Sequence, residues 1–173
     1  MHMHMKVDLR LLTGQPSELG GLQRALAGAP TYAERVSGHL PAVDAATRLL
    51  SALPAGMTYD CKYVYGFLIS GPEMIGCVDI IRGWPEPGTA LIGLLLLREK
   101  DQGRGLGRSV YELVEAKVRR WPEIDMIRIP VVRTNDIVLP FWRRMGFAET
   151  GEVQPYENDD IVSESIILAK SLG

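Results

Sequence analysis

Apolar and polar residues alternate over several short segments of the chain, and a period of two residues predicts β-strands. Residues 6–12 show this pattern first, with Val7, Leu9 and Leu11 set against polar neighbours. Later segments rich in β-branched and aromatic residues are separated by turns containing Gly-Pro and Trp-Pro pairs, which predicts a meander of three strands. The strands predicted after the first are 59–70, 73–82, 89–97, 126–132, 147–153 and 161–170.

Four other segments place apolar residues three to four positions apart, as amphipathic helices do. They are residues 16–27, residues 42–52, a helix that begins near Gly105 and continues to Val118, and residues 136–144. The predicted order is strand, two helices, three strands, helix, strand, helix and two strands, which is typical of an α/β domain around a mixed sheet. The strand at 89–97 is apolar on both sides, which predicts a central position covered on both faces.

Composition and charge narrow the class of protein. The 173 residues are 46% hydrophobic and 23% charged, which is expected of one globular domain spanning residues 1–173. A net charge of -2 without a dense block of Lys and Arg predicts no nucleic-acid partner.

The predicted location is the cytoplasm, without a membrane partner. The longest apolar run, residues 90–97, is too short to span a bilayer, and the first residues lack the apolar stretch of a signal peptide. Cys61 and Cys77 lie in apolar, strand-like surroundings that favour two core side chains over a disulfide. Neither has a partner at metal-ligand spacing, so no metal site is predicted.

A glycine-rich turn between the strand at 89–97 and the following helix carries the clearest chemical signal. Gly103, Gly105 and Gly107 occupy alternate positions there, and glycine lets a ligand approach the backbone closely. The free N–H groups of a helix N-terminus, with the helix dipole behind them, bind phosphate. Basic residues surround the turn at Arg98, Lys100, Arg104 and Arg108. Together these features predict a pyrophosphate site.

Two common phosphate motifs do not fit this turn. A Walker loop requires Gly-Lys-Ser/Thr after its spacer, and the dinucleotide fingerprint requires a third glycine where Arg108 or Val110 stands. The pattern that does fit is Gln/Arg-x-x-Gly-x-Gly/Ala, which is filled by Gln102, Gly103, Arg104, Gly105, Leu106 and Gly107. Here the sequence resembles the GCN5-related N-acetyltransferases (GNAT), whose loop for the pyrophosphate of acetyl-coenzyme A (acetyl-CoA) has this form.

A second block strengthens the resemblance. Asn135 is followed by residues 141–147, which read FWRRMGF and resemble the family's closing Asn, helix and Gly-Phe. Gly146 suits a helix C-cap, and Phe147 begins the next strand. The resemblance covers residues 60–150, whereas the first 55 residues match only in the order of elements.

The resemblance implies a mostly antiparallel, mixed sheet of six to seven strands with helices on both faces, and two strands that splay apart at the cofactor site. Acetyl-CoA would enter between the strands at 89–97 and 126–132. The implied cofactor-binding residues are Leu95, Leu96, Leu97, Gln102, Gly103, Arg104, Gly105, Leu106, Gly107, Arg108, Ser109, Asn135, Phe141 and Trp142. Main-chain groups of Leu95–Leu97 would pair with pantetheine, the loop N–H groups would hold the pyrophosphate, and Asn135 would bond the arm near its thiol end.

The implied reaction is direct attack of a neutral amine on the thioester carbonyl. An amine with a pKa of about 10.4 is deprotonated in only about one molecule in 2,500 at pH 7, so a general base is useful. Asp79 is the candidate, because a carboxylate among apolar strand neighbours is costly unless it has a function or a partner. A strand-edge or ion-paired aspartate is the alternative.

One position departs from the family pattern. Many members have a tyrosine four residues before the Gly of the closing Gly-Phe, where it protonates the leaving thiolate, whereas this chain has Trp142. An indole N–H is not a usable proton source near neutral pH. We therefore expect Trp142 to shape the site, with protonation by water or by Tyr63, Tyr65 or Tyr156.

The acceptor is predicted to be a small-molecule amine, with the acidic residues Glu157, Asp159 and Asp160 attracting a cation. Three alternatives stay open: a non-catalytic coenzyme-A-binding regulatory module, a structural or interaction domain, and transfer to oxygen or from a longer acyl donor. The sequence also leaves open whether the protein forms a homodimer.

Overall fold

The protein is built on one seven-stranded mixed sheet with the strand order β1-β2-β3-β4-β5-β7-β6. The computed structural model describes residues 6–173, so the start of the chain on which the location prediction partly rests lies outside the described residues. Every neighbouring pair of strands is antiparallel except β4 and β5. The strands are β1 (Val7–Leu11), β2 (Lys62–Ile69), β3 (Met74–Arg82), β4 (Thr89–Leu97), β5 (Met126–Val132), β6 (Ala148–Asn158) and β7 (Ile161–Ser171).

Helices cover both faces of this sheet. They are α1 (Pro16–Ala27), α2 (Pro30–Ser37), α3 (Ala45–Ser51), α4 (Leu106–Val118) and α5 (Leu139–Arg144). The apolar stripe of α4 and the buried side of α5 pack with Phe67 and Ile80 on one face of the sheet. Helices α1 and α3 pack with Val64 and Cys77 on the other face. The predicted fold class, with its central β4 and its β2-β3-β4 meander, is confirmed.

Three element predictions need correction. Helix α2 was not predicted, because Pro30 and Gly38 read as breaks although they start and end it: Pro30 is the first helical residue and Gly38 is a left-handed cap. The helix predicted at 136–144 is two elements in the structure: a 3₁₀ segment, Arg133–Val138, and then the α-helix α5, which begins only at Leu139. Strand β6 continues past residue 153 to Asn158, with a break in its register between Glu149 and Val153.

Strands β4 and β5 pair over only three positions and then separate. Their parallel ladder joins Thr89 to Met126, Ala90 to Ile127 and Leu91 to Arg128. Beyond Leu91, strand β4 continues for six residues and β5 for four without pairing to each other. The sheet therefore opens in a V whose apex lies at Leu91 and Arg128, which confirms the predicted splay.

Within residues 6–173, no helix combines the length and the apolar character needed to cross a bilayer.

Candidate active site

A large cavity occupies the V between β4 and β5. Its volume is about 1140 Å³, which exceeds the usual range of roughly 300–1,000 Å³ for small-molecule sites. Residues 91–97 of β4 and 128–132 of β5 line its two sides. The glycine turn lies at its open end, since Gln102, Gly103 and Gly107 also line it. An elongated ligand that needs both a strand edge and a phosphate site fits this space.

A β-bulge places Gly93 at the cavity wall. Asp79 pairs with Leu94, and the next residue of β3, Ile80, pairs with Ile92, so Gly93 is the extra residue of β4. Gly93 lies just past the apex of the V, where the backbone of β4 has no partner in β5. Bulges redirect backbone groups, and they are frequent beside active sites.

The backbone of the glycine turn has the conformation that the motif predicts. Gly103 and Gly105 have φ values of 75° and 76°, a region that side chains with a Cβ rarely adopt. Gly105 is the N-cap of α4 and has no side-chain cap, so the first N–H groups of this helix are available to a ligand. At position 107 glycine is required by packing and not by φ, because a Cβ there would lie 3.3 Å from Cε2 of Phe141.

The other residues of the motif divide between the loop framework and the surface. Gln102 donates its side-chain N–H to the carbonyl of Leu97 at 2.9 Å, so it holds the turn against the end of β4. The side chain of Leu106 is buried in the core, which leaves only its backbone for a ligand. Ser109 and Arg108 are exposed in the first turn of α4.

The basic residues around the turn are not equivalent. Arg98 is buried and paired within the protein, with Nε at 2.7 Å from Asp101 Oδ2 and Nη1 at 2.5 Å from Glu73 Oε1. Its charge is therefore neutralised within the protein, where it fixes the loop. The side chains of Lys100, Arg104 and Arg108 are about half exposed or more. Their charges supply the positive potential at this end of the cavity.

The second sequence block forms the wall beside β5. Asn135 is buried, lines the cavity and interrupts the 3₁₀ segment with a non-helical φ of -117°. Phe141 and Trp142 also line the cavity, and their rings meet edge to face with centroids 4.9 Å apart. Trp142 makes further edge contacts with Tyr111 at 5.7 Å and Phe147 at 5.3 Å. The indole is thus a member of an aromatic cluster that borders the site.

Asp79 lies behind the bulge and carries a partner that the sequence did not reveal. Its Oδ1 accepts a hydrogen bond from Nζ of Lys62 at 2.9 Å, and both side chains are nearly buried. Asp79 is not itself a lining residue, but its Oδ2 would lie only 3.4 Å from a Cβ built on Gly93. Burial raises the pKa of Asp79, and Lys62 partly opposes that rise.

Helix α2 bridges the open V on the face that carries α1 and α3. At one end, the Thr31 N–H donates to Oε1 of Glu99, just past β4, at 2.7 Å. At the other end, the Tyr156 hydroxyl on β6 donates to the carbonyl of Val36 at 2.7 Å. Tyr32 and Arg35, between these anchors, line the cavity. A helix absent from the sequence prediction therefore forms one wall of the site.

The three tyrosines considered as proton donors have different surroundings. Tyr63 packs on Trp121 at 4.7 Å, and Tyr65 faces Lys117, and neither of them lines the cavity. Tyr156 does line the cavity, and its hydroxyl donates a hydrogen bond to the carbonyl of Val36. Tyr32 is a further tyrosine at the cavity, and burial raises the pKa of its phenol well above the ordinary value.

The acidic segment lies at the β6–β7 hairpin end, outside the cavity lining. Asp160 pairs with Nε2 of His39 at 2.9 Å, and Glu157 and Asp159 are exposed. Attraction of a cation by this segment would therefore act at a distance, and it stays a prediction.

Comparisons with known proteins agree with this geometry. Residues 43–147 match the family model described as Acetyltransferase (GNAT) family. An acetyltransferase from Thermus thermophilus superposes with a TM-score of 0.75 and 25% identity over 98% of this chain and 100% of that one. A GNAT family acetyltransferase from Elizabethkingia anophelis with acetyl-CoA bound superposes with a TM-score of 0.61 and 16% identity, over 96% of this chain and 98% of that one. An aminoglycoside acetyltransferase in complex with coenzyme A superposes with a TM-score of 0.70 and 19% identity, over 96% of this chain and 95% of that one. The curated proteins contain no match.

The splayed mixed sheet and the glycine turn define an acetyltransferase fold. Because the family model matches more than half of the chain, the protein belongs to the GNAT acetyltransferase family.

Proposed function

We propose that this protein transfers the acetyl group of acetyl-CoA to the nitrogen of a small-molecule amine, within a ternary complex. The observation that carries the proposal is the cavity in the V, which joins an unpaired strand edge to a helix N-terminus with glycines at positive φ. The strand edge suits the amides of pantetheine, and the helix N-terminus suits a pyrophosphate. Acetyl-CoA carries both groups in this order.

Different residues of the cavity bind different parts of acetyl-CoA. The backbone of Gly103, Gly105, Gly107 and Arg108 receives the pyrophosphate, and the free edge of β4 at Leu95 and Leu96 receives the pantetheine amides. The carbonyl of Leu97 already accepts a hydrogen bond from Gln102, so Leu97 contributes less to binding of the pantetheine amides. Asn135 bonds the arm near the sulfur, where Phe141 and Trp142 exclude water.

The amine would attack the thioester beside the Gly93 bulge. Its nitrogen forms a bond to the acetyl carbon, the carbon–sulfur bond breaks, and coenzyme A leaves as a thiolate. The proton of the amine passes to Asp79, directly or through one water, by the opening that glycine leaves at position 93. Water protonates the thiolate, which is already a fair leaving group because a thiol of this kind has a pKa of about 8.5.

A non-catalytic coenzyme-A-binding module is the main alternative, and one experiment separates the two. The purified protein is titrated with acetyl-CoA and then assayed for thiol release against a panel of primary amines. The proposal expects saturable binding and amine-dependent thiol release at a rate well above the amine-free background. Binding without amine-dependent release would assign the chain to the regulatory class instead.

Replacement of Trp142 by phenylalanine is expected to lower kcat by less than about tenfold. The aromatic edge contacts are mostly retained, and the indole N–H is not a proton source near neutral pH. Steady-state kinetics across pH 6–9, with the acetyl-CoA Kd as a check on folding, measures this effect. A loss of around a hundredfold or more with normal cofactor binding would show that an essential donor sits at this position.

A further inference from the structure

Helix α2 contributes two polar side chains to the lining of the cavity. They are Tyr32 and Arg35, and both are partly exposed. In the part of the chain that the structure describes, the Tyr32 hydroxyl and the Arg35 guanidinium form no hydrogen bond and no ion pair. Partly buried polar groups in this state are costly, so a ligand that accepts hydrogen bonds from them is stabilised by them.

The polar atoms of both side chains are open to the cavity. Within residues 6–173, the one fully enclosed side-chain nitrogen or oxygen without a hydrogen-bond partner is Nε of Arg128. The Tyr32 oxygen and the Arg35 nitrogens have no partner either, so they keep accessible surface. Burial raises the pKa of Tyr32, which shows that protein atoms surround its hydroxyl closely. The accessible side that the hydroxyl keeps is therefore the cavity that Tyr32 lines.

The charge balance of the cavity favours an anion at Arg35. Within residues 6–173, the charged side chains of the lining are Arg35, Glu99 and Arg128. The charge of Arg128 is neutralised by Glu152. Glu99 accepts a hydrogen bond from the Thr31 N–H at 2.7 Å, and its pKa is lowered first by bonding to Thr31 and then by the charge of Arg35. Glu99 thus offsets part of the charge of Arg35 but leaves the guanidinium N–H groups without an acceptor.

The two donors lie close enough to bind one group. Tyr32 and Arg35 are three residues apart on α2, so they share a face of the helix with their Cβ atoms about 5–6 Å apart. A phenol and a guanidinium at this spacing can donate to the same carboxylate or phosphonate.

Helix α2 covers the face of the sheet that carries the candidate base. Tyr32 packs against the apolar cluster that contains Cys77, and the Cys77 thiol contributes, after burial and Tyr156, to the raised pKa of Tyr32. Cys77 and Asp79 are two residues apart on β3, so their side chains share a face and lie about 7 Å apart. Asp79 adjoins the Gly93 bulge. A molecule of a few bonds can therefore extend from the α2 donors to the bulge.

The donors of α2 are placed for the acceptor and not for the phosphates of acetyl-CoA. The glycine turn begins α4, whose apolar stripe packs on the opposite face of the sheet from Tyr32. Arg35 precedes Val36, whose carbonyl accepts a hydrogen bond from the Tyr156 hydroxyl at 2.7 Å. The backbone of Arg35 therefore lies at the β6 end of α2, whereas the glycine turn follows β4 at the other end.

We propose that the acetyl acceptor is an amine that also carries an anionic group, and that Arg35 and Tyr32 bind this group while the amine lies beside Gly93. The inference rests on the proposed N-acetyltransferase function. The guanidinium supplies charge-assisted hydrogen bonds, which are strong and directional, and the phenol adds a further donor. Helix α2 is in this way the element that selects the acceptor.

The test compares amines with and without the anionic group. Thiol release from acetyl-CoA is measured with the standard L-amino acids and with ω-amino acids from β-alanine to 6-aminohexanoate, each against its carboxamide, and with 2-aminoethylphosphonate against ethanolamine. We expect the best anionic substrate to exceed its neutral counterpart at least about tenfold in kcat/KM, the value of one charge-assisted hydrogen bond. The neutral compound of each pair has the more acidic ammonium group, so amine acidity cannot produce this preference.

Variants then assign the preference to its residues. Arg35→Gln is expected to lower kcat/KM for the anionic substrate about 10- to 100-fold, mainly through KM, and that for the neutral counterpart less than threefold. Tyr32→Phe should lower the first value about 3- to 10-fold, as expected for one uncharged donor. Arg48→Gln is the matched control, because Arg48 is exposed, pairs with Asp44 and does not line the cavity; it should change neither value. An unchanged acetyl-CoA Kd shows that each variant is folded.

Wild-type turnover without a preference for any anionic substrate, or equal losses on both substrates in Arg35→Gln, would overturn the inference and leave the N-acetyltransferase function intact. A weaker acetyl-CoA Kd in Arg35→Gln, with the substrate preference retained, would assign Arg35 to the cofactor phosphates and would also overturn it. Thiol release with no amine of the panel, despite acetyl-CoA binding, would overturn the proposed function together with the inference.

Discussion

Replacement of Gly105 by valine is expected to weaken acetyl-CoA binding on the order of 10- to 100-fold. Gly105 has a φ of 76° and caps α4, so a β-branched side chain there strains the turn and blocks close approach of phosphate to its N–H groups. No atom lies within 4 Å of the added Cβ, so most of the structure should persist. The expected loss equals one charge-assisted hydrogen bond, roughly 1.5–3 kcal/mol. Calorimetric titration with acetyl-CoA measures it.

Gly14→Val is the matched control for backbone strain. Gly14 has a φ of 87°, again with nothing within 4 Å of an added Cβ, and it lies between β1 and α1, away from the cavity lining. The control should lose a similar amount of stability and keep the wild-type Kd. A folded Gly105→Val protein with undiminished affinity, or equal losses in both variants, would contradict the placement of the pyrophosphate.

Replacement of Asp79 by asparagine is expected to lower kcat/KM for the amine about 10²- to 10⁴-fold at pH 7, the usual range for loss of a general base. The variant should retain its acetyl-CoA Kd, since Asp79 does not line the cavity. Its rate should then rise with pH toward the pKa of the free amine, because only the neutral amine reacts without a base. A pH profile of kcat/KM from 6 to 10 records both effects.

Lys62→Gln separates the base role from the buried ion pair. Each substitution removes one charge of the same ion pair and leaves the other charge buried, so both should destabilise the fold. Burial raises the pKa of Asp79 and Lys62 opposes the rise, so loss of Lys62 raises this pKa further. A base must be deprotonated to act, so Lys62→Gln should keep much of its activity at high pH. As the pH is lowered, its activity should fall at a higher pH than that of the wild type. Equal losses across the pH range would indicate a structural role for both residues.

The conformation of the glycine turn was predictable because it depends on local sequence. Alternate glycines between a buried strand and a helix predict a tight turn at a helix N-terminus within six residues, and the structure has Gly103 and Gly105 at positive φ. The splay of β4 and β5 was reached through family resemblance alone. Pairing that stops after Leu91 is a tertiary property, and periodicity does not encode it.

The contacts around the rest of the cavity were harder to predict because their groups come together only in three dimensions. Helix α2 begins at Pro30 and ends before Gly38, and both residues read as breaks in the sequence. Arg98 was counted with the positive charges around the turn, and the sequence does not show that Asp101 and Glu73 pair with it. The partner of Asp79 is 17 residues away on the next strand, and the partner of Arg128 is 24 residues away across the sheet.

Transfer of labelled acetyl to nitrogen tests the proposed N-acetyltransferase reaction at the product itself. The wild-type protein is incubated with [¹³C₂]acetyl-CoA and the amine that gives the fastest thiol release, and the product is analysed by mass spectrometry with fragmentation. We expect one labelled acetyl group on the amine nitrogen, formed in step with released coenzyme A and strongly reduced in Asp79→Asn. A product labelled only on oxygen, or binding of acetyl-CoA with no labelled product from any amine, would contradict it.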